Sequence, residues 1–375
     1  MNRRIDLPVV VLGFAGVIAA LAASFLRVAP NRLLSGVPHD LHGVALAVAW
    51  AVVILSGLIV FPGRRLLVLS LAVVALVGLP WLAGMDARDV LAHASASTRV
   101  QLGAGFWLMW ITAALLLLDR LRGRGRVVPS VVWAVVLASV VGLLVHGSLD
   151  ALALLREYRA QRAPFDEALL VHLRLAVITL VIALLTGAPM GWWAWRARGS
   201  GGVLVGVLSF LQTVPSLALF ALLMGPFAWL ASEVPMLGAL GFGGTGAAPA
   251  VFALVLYALL PVVRYTMAGL DAVSPESREA AQGLGMTRWQ ILTQVQLPLG
   301  WPVLLSGLRI VAVQTIGLAA VAALIGAGGL GRFVFLGIGQ GATDMVLLGT
   351  VAIIALALVV DFLFQGLLAL TERRA

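Results

Sequence analysis

The sequence has 375 residues, of which 62% are hydrophobic and only 11% are charged, and its mean hydropathy is +1.07. This composition excludes a water-soluble domain and is typical of a bundle of membrane helices. The formal net charge of +9 does not indicate nucleic-acid binding, because the arginines lie between apolar runs and form no single patch. There is no cysteine, and the five histidines lack the spacing of metal ligands, so we expect no disulfide, no metal site and no cysteine nucleophile.

Five apolar runs of membrane-spanning length occupy the first part of the chain. They predict helices at about 7–26, 43–61, 66–83, 100–118 and 127–146, since about 20 residues cross the hydrocarbon core. The first run resembles a signal peptide, but it is longer than a usual signal core and further spans follow it, so we predict an uncleaved helix. We therefore expect an N-terminal five-helix membrane extension at about 1–147, followed by a polar extracytoplasmic connector at about 148–167.

Five further spans are predicted at about 168–195, 203–223, 248–267, 301–325 and 345–368. The fold class that we expect is thus an all-α membrane protein with about ten transmembrane helices. The second of these five spans is interrupted by Gln212, Thr213, Pro215 and Ser216. Pro215 removes a backbone donor, which membrane helices tolerate where the freed groups face protein or water. The residues alone leave open whether this segment is a pore-lining kink or a packing kink whose hydroxyls bond to their own helix.

The polar segment 274–298, called the 274–298 loop below, lies between two apolar spans of the second half. Ser274 followed by Pro275 predicts the start of a short helix, because serine caps helix N-termini and proline suits the first helical position. Gly283 and Gly285 predict the bend that ends this helix. The first part of the loop is therefore predicted to be a short, polar helix followed by a turn.

A second short helix is predicted in the same loop. Thr287 with Gln290 three residues later is the pattern of a capping box, which satisfies the first backbone donors of a helix. Pro298 is expected to stop this helix. The product is a helix-turn-helix projection between two membrane spans.

The 274–298 loop resembles the EAA loop of the membrane permease subunits of bacterial ABC importers. The residues that match in order and spacing are 279–281 (Glu-Ala-Ala), Gly285 and the ending 295–298, with Val295 where the pattern usually has isoleucine. The resemblance implies that the loop faces the cytoplasm and docks into a groove on a separate ATPase subunit; the alternative is an ordinary amphipathic loop between two spans. The candidate coupling residues are Glu279, Ala280, Ala281, Gly283, Gly285, Thr287, Trp289, Leu297 and Pro298.

Three other segments are similar to permeases that import glycine betaine, choline, carnitine and related osmoprotectants. They are the Gln-Thr-x-Pro-Ser-Leu run at 212–217, the Leu-Tyr-x-Leu-Leu-Pro-x-x-Arg pattern that ends at Arg264, and the glycine-rich run at 323–331. This resemblance covers somewhat over half of the chain and implies a type I, methionine-permease-like importer core in the five C-terminal helices, at about 168–375. It also favours a translocation pathway over a packing kink. The candidate pathway residues are Gln212, Thr213, Pro215, Ser216, Gln314 and Thr315.

Some polar positions inside the last spans have a structural alternative. Gln314 and Thr315 are explained equally well as polar contacts between helices. Arg309 and Asp361 are charges inside two spans, where an isolated central charge costs roughly 2.5–3.5 kcal/mol, so we predict that they form an interhelical ion pair near the cytoplasmic third. The functional alternative for this pair is an ion or proton relay. The glycine run is expected to form a re-entrant turn, since no strand precedes it as a nucleotide-binding loop would require.

The arginine distribution predicts the orientation of the chain. With the N-terminus in the cytoplasm, more arginines fall on the inner segments than on the outer ones, which is the distribution expected of a bacterial inner-membrane protein. Both termini and the 274–298 loop are then cytoplasmic. The inner arginines include Arg3, Arg4, Arg126, Arg198, Arg373 and Arg374.

The resemblance implies a transport subunit and not an enzyme. The chain has neither a Walker A loop nor any lysine, so ATP would be bound and hydrolysed by a partner, and this chain would bind no cofactor. The implied partners are two ATPase subunits, a second identical or different permease subunit, an external substrate-binding protein and membrane lipid. The implied cargo is a quaternary ammonium osmolyte.

Other functions are compatible with parts of the sequence. A permease of the same architecture could carry another solute, such as an amino acid. An ion-coupled secondary transporter would use Arg309 and Asp361, and a membrane scaffold would carry no solute. Neither of the last two explains the 274–298 loop. The sequence does not identify the solute, the second permease subunit, the role of the N-terminal helices or any regulation by osmotic stress.

Overall fold

The computed structural model describes residues 5–32, 34, 36–39, 42–59, 62–125, 127–197, 200–239 and 242–372. The chain divides into two compact units. Unit 1 comprises Met1–Gln161 with Gly339–Met345, and unit 2 comprises Arg162–Ile338 with Val346–Ala375. The arginines of the topology prediction that lie outside the described residues are Arg3, Arg4, Arg126, Arg198, Arg373 and Arg374.

Apolar helices make up most of the N-terminal part of the chain. The helices before Arg162 are α1 (Leu7–Ala22), α2 (Gly43–Leu58), α3 (Arg64–Ala92), α4 (Ala104–Leu121), α5 (Val127–Val145) and the short polar α6 (Ala153–Ala160). Helix α1 packs on α2 and α4, and α3 packs on α4. The α1–α2 contact depends on a glycine, because a Cβ at Gly16 would lie 2.1 Å from the ring of Trp50. Trp50 is buried in the core of unit 1 together with Met109 and Leu116.

Unit 1 also contains a small antiparallel sheet that the sequence analysis did not predict. Strand β1 (Leu26–Ala29) lies between β2 (Val37–His39) and β3 (Arg99–Leu102), and Leu26 pairs with His39 on one side and Leu102 on the other. Strand β3 contains the first residues of the span predicted at about 100–118, so the helix α4 begins only at Ala104. Pairing between the strands satisfies backbone groups that no helix satisfies.

The second part of the chain is also helical. Its helices are α7 (Arg162–Arg196), α8 (Ser200–Thr213), α9 (Ser216–Glu233), α10 (Pro235–Ala239), α11 (Ala247–Asp271), α12 (Pro275–Gly283), α13 (Arg288–Gln290), α14 (Leu297–Ala319), α15 (Gly331–Gln340) and α16 (Thr343–Glu372). A π-helical segment, Ile291–Gln296, joins α13 to α14, and a 3-10 helix, Val321–Ile325, follows α14. Helix α6 and the first turns of α7 thus occupy most of the stretch predicted as a connector.

Helix α11 is the centre of unit 2 and packs on both α7 and α14. Glycines allow this close approach. Gly187 and Gly191 of α7, one turn apart, face α11, because a Cβ at Gly191 would lie 2.7 Å from Thr266. On the other side a Cβ at Gly300 of α14 would lie 2.3 Å from the carbonyl oxygen of Gly269. The backbones of these three helices are therefore in near contact, which fixes the scaffold that carries the candidate site.

The predicted fold class is confirmed. Eight described helices are long and apolar enough to cross a membrane, and the shorter apolar helices α1, α2 and α8 accompany them. The predicted second span of unit 2 accounts for two of these eleven helices, because the chain breaks between Thr213 and Ser216. The other nine correspond one to one with the remaining predicted spans.

Candidate functional site

The 274–298 loop begins with the predicted short helix, α12. The Ser274 hydroxyl accepts a hydrogen bond from the backbone N–H of Ser277 at 3.2 Å, and Pro275 occupies the first helical turn. Glu276 lies in the same turn, where a carboxylate interacts favourably with the helix dipole. Hydrogen bonds from its own backbone N–H and from Ser274, together with nearby Arg278, lower the pKa of the Glu276 carboxyl. The start of α12 is therefore defined by its own sequence, as predicted.

Gly285 alone makes the bend that ends α12. It has a φ of +78°, whereas Gly283 is the last residue of the helix and has no positive φ, so the prediction that both glycines form the bend was wrong for Gly283. The N–H of Gly285 donates to the carbonyl of Gln282, and the N–H of Met286 donates to that of Ala281. This pair of bonds is a Schellman motif, which closes a helix where the next residue is left-handed.

The second helix of the loop has the predicted start but not the predicted end. Thr287 and Gln290 form the capping box, with side-chain to backbone bonds in both directions. The helix then passes through the π-helical segment into α14 without a break, so the expectation that Pro298 stops it was wrong. The N–H of Leu297 bonds to the carbonyl of Leu292, five residues back, and this leaves Pro298 in the first turn of α14. A missing N–H is tolerated in a first turn.

The predicted coupling residues separate into an outer and an inner set. The outer set is exposed and consists of Glu279, Ala280, Gly283, Gly285, Thr287, Trp289, Leu297 and Pro298. Ala281 is buried, and its helix α12 packs on the π-helical segment. The exposed set includes Trp289, which is 70% exposed, and the neighbouring Leu284 is 83% exposed. Large apolar side chains displayed on a polar loop are characteristic of a surface that contacts another protein.

Trp195, at the end of α7, holds the 274–298 loop in place. Its indole Nε1 donates to the Asp271 carboxylate at 2.7 Å, at the end of α11. Its ring also lies against the guanidinium of Arg278 in α12, with 5.7 Å between Cζ and the ring centroid. One side chain thus connects α7, α11 and the loop. This role could not be predicted from the sequence, because a tryptophan at a helix end is equally typical of a membrane interface.

The break between α8 and α9 is stabilised by α11. Pro261 has no N–H, so the carbonyl of Tyr257, four residues earlier, lacks its helical partner. The Gln212 side chain supplies the missing donor, with 2.7 Å between its Nε2 and the Tyr257 oxygen. In return the Tyr257 hydroxyl donates a hydrogen bond to the carbonyl of Val214, where α8 has ended before Pro215. The break is therefore a defined structure and not a flexible joint.

A partly polar groove of about 380 Å³ lies beside this break. It is bordered by α8, α11 and α14, and its lining residues are Gln212, Leu260, Pro261, Arg264, Tyr265, Ala268, Ile310 and Gln314. Of the six candidate pathway residues, Gln212 and Gln314 therefore share one cavity. Thr315 is buried, and the Thr213 hydroxyl donates to the carbonyl of Phe210 in its own helix. Both arrangements match the structural role that was the alternative to a place on the pathway. Pro215 and Ser216 lie at the start of α9.

Arg309 and Asp361 form a two-pronged contact between α14 and α16. The Arg309 Nε lies 2.5 Å from one carboxylate oxygen and its Nη2 lies 3.0 Å from the other. The Gln365 amide donates to the same carboxylate at 2.7 Å. This geometry satisfies both Asp361 oxygens and fixes the orientation of the guanidinium.

The comparison with known families decides the class of protein. The family described as "Binding-protein-dependent transport system inner membrane component" matches residues 183–375, and the description "ABC transporter permease YehY, N-terminal domain" matches residues 4–155. The osmoprotectant import permease protein OsmW of Salmonella typhimurium is 39% identical over 52% of this chain and 86% of its own length. The chain belongs to this family of ABC importer permeases.

Other relatives of the permease agree with this assignment. The carnitine transport permease protein OpuCB of Listeria monocytogenes is 37% identical over 51% of this chain and 80% of its own length. The glycine betaine/carnitine/choline transport system permease protein OpuCB of Bacillus subtilis is 32% identical over 54% and 84%. An inward-facing structure of the MetNI methionine ABC transporter matches with a TM-score of 0.50 and 17% identity, over 56% of this chain and 98% of that one, and shows the type I importer fold.

Several predictions are settled by the family. The permease is a multi-pass inner-membrane protein and not an enzyme, and ATP is used by a partner ATPase. Such permeases work with ATPase and substrate-binding partners. The ion-coupled secondary transporter is not favoured, because the permease's relatives are ABC transport subunits.

The glycine run of the permease forms a close contact with a buried histidine. Gly326, Gly328 and Gly329 all have positive φ, as the predicted turn requires. A Cβ at Gly329 would lie 3.1 Å from Nδ1 of His172, which is fully buried. The other ring nitrogen, Nε2, lies 3.0 Å from the carbonyl of Ile316 in α14 and must carry the proton, since a carbonyl only accepts. His172 therefore joins α7 to α14, and the run packs against its ring.

Proposed function

We propose that this permease translocates a quaternary ammonium osmolyte, such as glycine betaine, carnitine or choline. The observation that carries the proposal is the partly polar groove at the α8–α9 break, which is bordered by the amides of Gln212 and Gln314. A small zwitterion or cation needs polar groups along its route through an apolar helix bundle. Two relatives that match this half of the chain at 32% and 37% identity are named for these solutes, and a third at 39% identity is named for osmoprotectants, which supports the same cargo here.

The 274–298 loop would be the contact with the ATPase. Its exposed residues, including Glu279, Thr287 and Trp289, would enter a groove on that subunit, and the buried Ala281 would keep α12 packed on the rest of the loop. The helix from Arg288 to Ala319 supports this role, because it runs from the loop into the membrane bundle without a break. A rigid connection of this kind can transmit a displacement of the loop to the groove.

The assembly would contain two such permease subunits, identical or different, with two ATPases below and a binding protein outside. The arginine distribution supports cytoplasmic termini and a cytoplasmic loop. Residues up to about 147 would form the N-terminal extension, those at about 148–167 an external connector, and the remainder the permease core. Arg309 and Asp361 would hold α16 on α14 and take no part in ion movement, since both carboxylate oxygens are already bonded.

The test is solute uptake by the complete transporter. The permease, purified with its ATPase and its binding protein, is reconstituted in proteoliposomes and offered labelled glycine betaine, carnitine, choline and methionine in turn. We expect uptake of at least one quaternary ammonium solute that requires ATP hydrolysis and is unaffected by ionophores. Uptake of methionine alone would contradict the proposed cargo. Uptake that persists without the ATPase and stops when ion gradients collapse would contradict the proposed class.

A further inference from the structure

Among the described residues that border the groove, Arg264 is the one cation. It belongs to α11, and its side chain is exposed. Among the described residues, no carboxylate lies within ion-pair distance of it; its recorded partner is a hydroxyl, that of Ser209, which accepts from Nη2 at 3.2 Å. Arginine carries five N–H donors and keeps its charge at any physiological pH. Most of its hydrogen-bonding capacity is therefore available to a solute in the groove.

Arg309 provides an internal contrast. It also lies inside a predicted membrane helix, but its Nε and Nη2 donate to the two carboxylate oxygens of Asp361 at 2.5 and 3.0 Å. Asp361 thus neutralises Arg309, whereas in the part of the chain that the structure describes the partner of Arg264 is a neutral hydroxyl. An arginine with unused donors can bind an anionic group that enters the groove it borders.

The groove has the dimensions and polarity for a small zwitterion. Its α11 border runs from Leu260 to Ala268, which is about 12 Å along the helix at 1.5 Å per residue. Gln212 borders the groove near the level of Tyr257, to which it is bonded, so Arg264 lies about two turns further along α11. The lining includes the aromatic ring of Tyr265, and quaternary ammonium groups are attracted to aromatic rings. A solute with an ammonium group and a carboxylate could place the ammonium group in the uncharged part of the groove and the carboxylate beside Arg264.

We propose that Arg264 binds the carboxylate of the solute during translocation and so favours betaine-type zwitterions over choline, which has no carboxylate. This inference rests on the proposed function, because it assumes that the groove is on the solute's route. A guanidinium binds a carboxylate through paired, charge-assisted hydrogen bonds. The same permanent charge repels a solute that is only cationic. Arg264 would thus be a specificity-determining residue within the permease itself, in addition to any selection by the binding protein.

The experiment compares uptake of glycine betaine and choline by the complete transporter with Arg264→Gln, Arg264→Lys and the matched control Arg174→Gln. Arg174 also lies within a long apolar helix, α7, is exposed and does not border the groove. Loss of a charged hydrogen-bond partner predicts a fall in glycine betaine uptake of about tenfold for Arg264→Gln. Choline uptake should be unchanged or raised, Arg264→Lys should retain part of the glycine betaine uptake, and Arg174→Gln should leave both unchanged.

A second measurement separates solute recognition from a structural role. ATP hydrolysis stimulated by the solute-loaded binding protein is measured on the same variants, and we expect Arg264→Gln to retain it while uptake per ATP falls. If the wild type carries glycine betaine but not choline, the two solutes cannot be compared. The uptake of glycine betaine per ATP hydrolysed by Arg264→Gln then decides whether Arg264 recognises the solute. An equal fall for both solutes, a parallel fall in ATP hydrolysis, or no fall at all would overturn the role of Arg264 while leaving the proposed function intact. A wild type that carries choline and no carboxylate-bearing solute would also overturn it, and one that carries no quaternary ammonium solute would refute both proposals.

Discussion

Gln212 and Tyr257 satisfy two helix defects at once. The Gln212 amide donates to the Tyr257 carbonyl at 2.7 Å, which Pro261 has deprived of its helical donor, and the Tyr257 hydroxyl donates to Val214 at the end of α8. The carbonyl that Pro261 leaves without a donor is thus satisfied from α8, and the Val214 carbonyl at the end of α8 is satisfied from α11. The carbonyl of Leu211, four residues before Pro215, accepts from the backbone N–H of Val214. The opening beside Gln212 can persist within a packed bundle because no backbone group at the break is left without a partner by these two prolines.

Tyr257→Phe should destabilise the permease by about 1 kcal/mol, because it removes one hydrogen bond and keeps the ring. The measurement is thermal unfolding of the purified protein in detergent, with intrinsic fluorescence as the signal. Tyr265→Phe is the matched control, since no hydrogen bond of the Tyr265 hydroxyl is recorded among the described residues. Equal stability of Tyr257→Phe and the wild type would show that the hydroxyl does not support the break.

Gly285→Ala should weaken coupling, whereas Gly283→Ala should not. The φ of Gly285 is +78°, a conformation that costs an alanine roughly 1–2 kcal/mol, although no atom would clash with the new Cβ. Gly283 is helical, has equally open surroundings and would gain helix propensity from alanine. Both variants are reconstituted, and uptake per ATP hydrolysed is measured. We expect a lower ratio for Gly285→Ala alone; an equal ratio for the two would show that the left-handed turn is not required for coupling.

Trp195→Phe should also reduce uptake per ATP without preventing membrane insertion. Phenylalanine keeps a ring near Arg278 but loses the hydrogen bond from Nε1 to Asp271, so the ends of α7 and α11 are no longer joined beside the 274–298 loop. Trp193→Phe is the control, because Trp193 is 48% exposed on the same helix and makes no recorded ring or hydrogen-bond contact among the described residues. Similar losses for the two variants would indicate a general need for interfacial tryptophans.

The parts of the structure that could be predicted from the sequence are those that depend on neighbouring residues. The cap at Ser274 and the capping box at Thr287 are formed by residues three positions apart, and the α8–α9 break follows from Pro215 itself. Apolar length was sufficient to locate the spans, since a helix must cover the hydrocarbon core. These features were therefore available without any knowledge of tertiary contacts.

The features that were missed depend on contacts between distant segments. Pro298 was expected to end a helix, but the π-helical turn before it moves the proline into a tolerated position. The partner of Gln212 is 45 residues away, and that of Trp195 is 76 residues away, so neither could be read from local spacing. The sheet of unit 1 likewise pairs β1 with β3, which the chain separates by two helices.

Exchanging Arg309 and Asp361 should restore a protein that either single change damages. Arg309→Asp or Asp361→Arg places two like charges together inside the membrane, where even one unpaired charge costs roughly 2.5–3.5 kcal/mol. We expect the yield of folded permease, measured by size-exclusion chromatography of a fluorescent fusion, to fall severalfold in each single variant. The double variant should recover most of this yield, because the opposite charges face each other again across α14 and α16.

The control is the same exchange at Arg162 and Asp166, whose charged groups lie 3.9 Å apart. Their side chains are 74% and 59% exposed, so each change should alter the yield little. If the exchanged Arg309/Asp361 protein folds but no longer transports solute, the pair has a role in transport beyond holding α16 on α14.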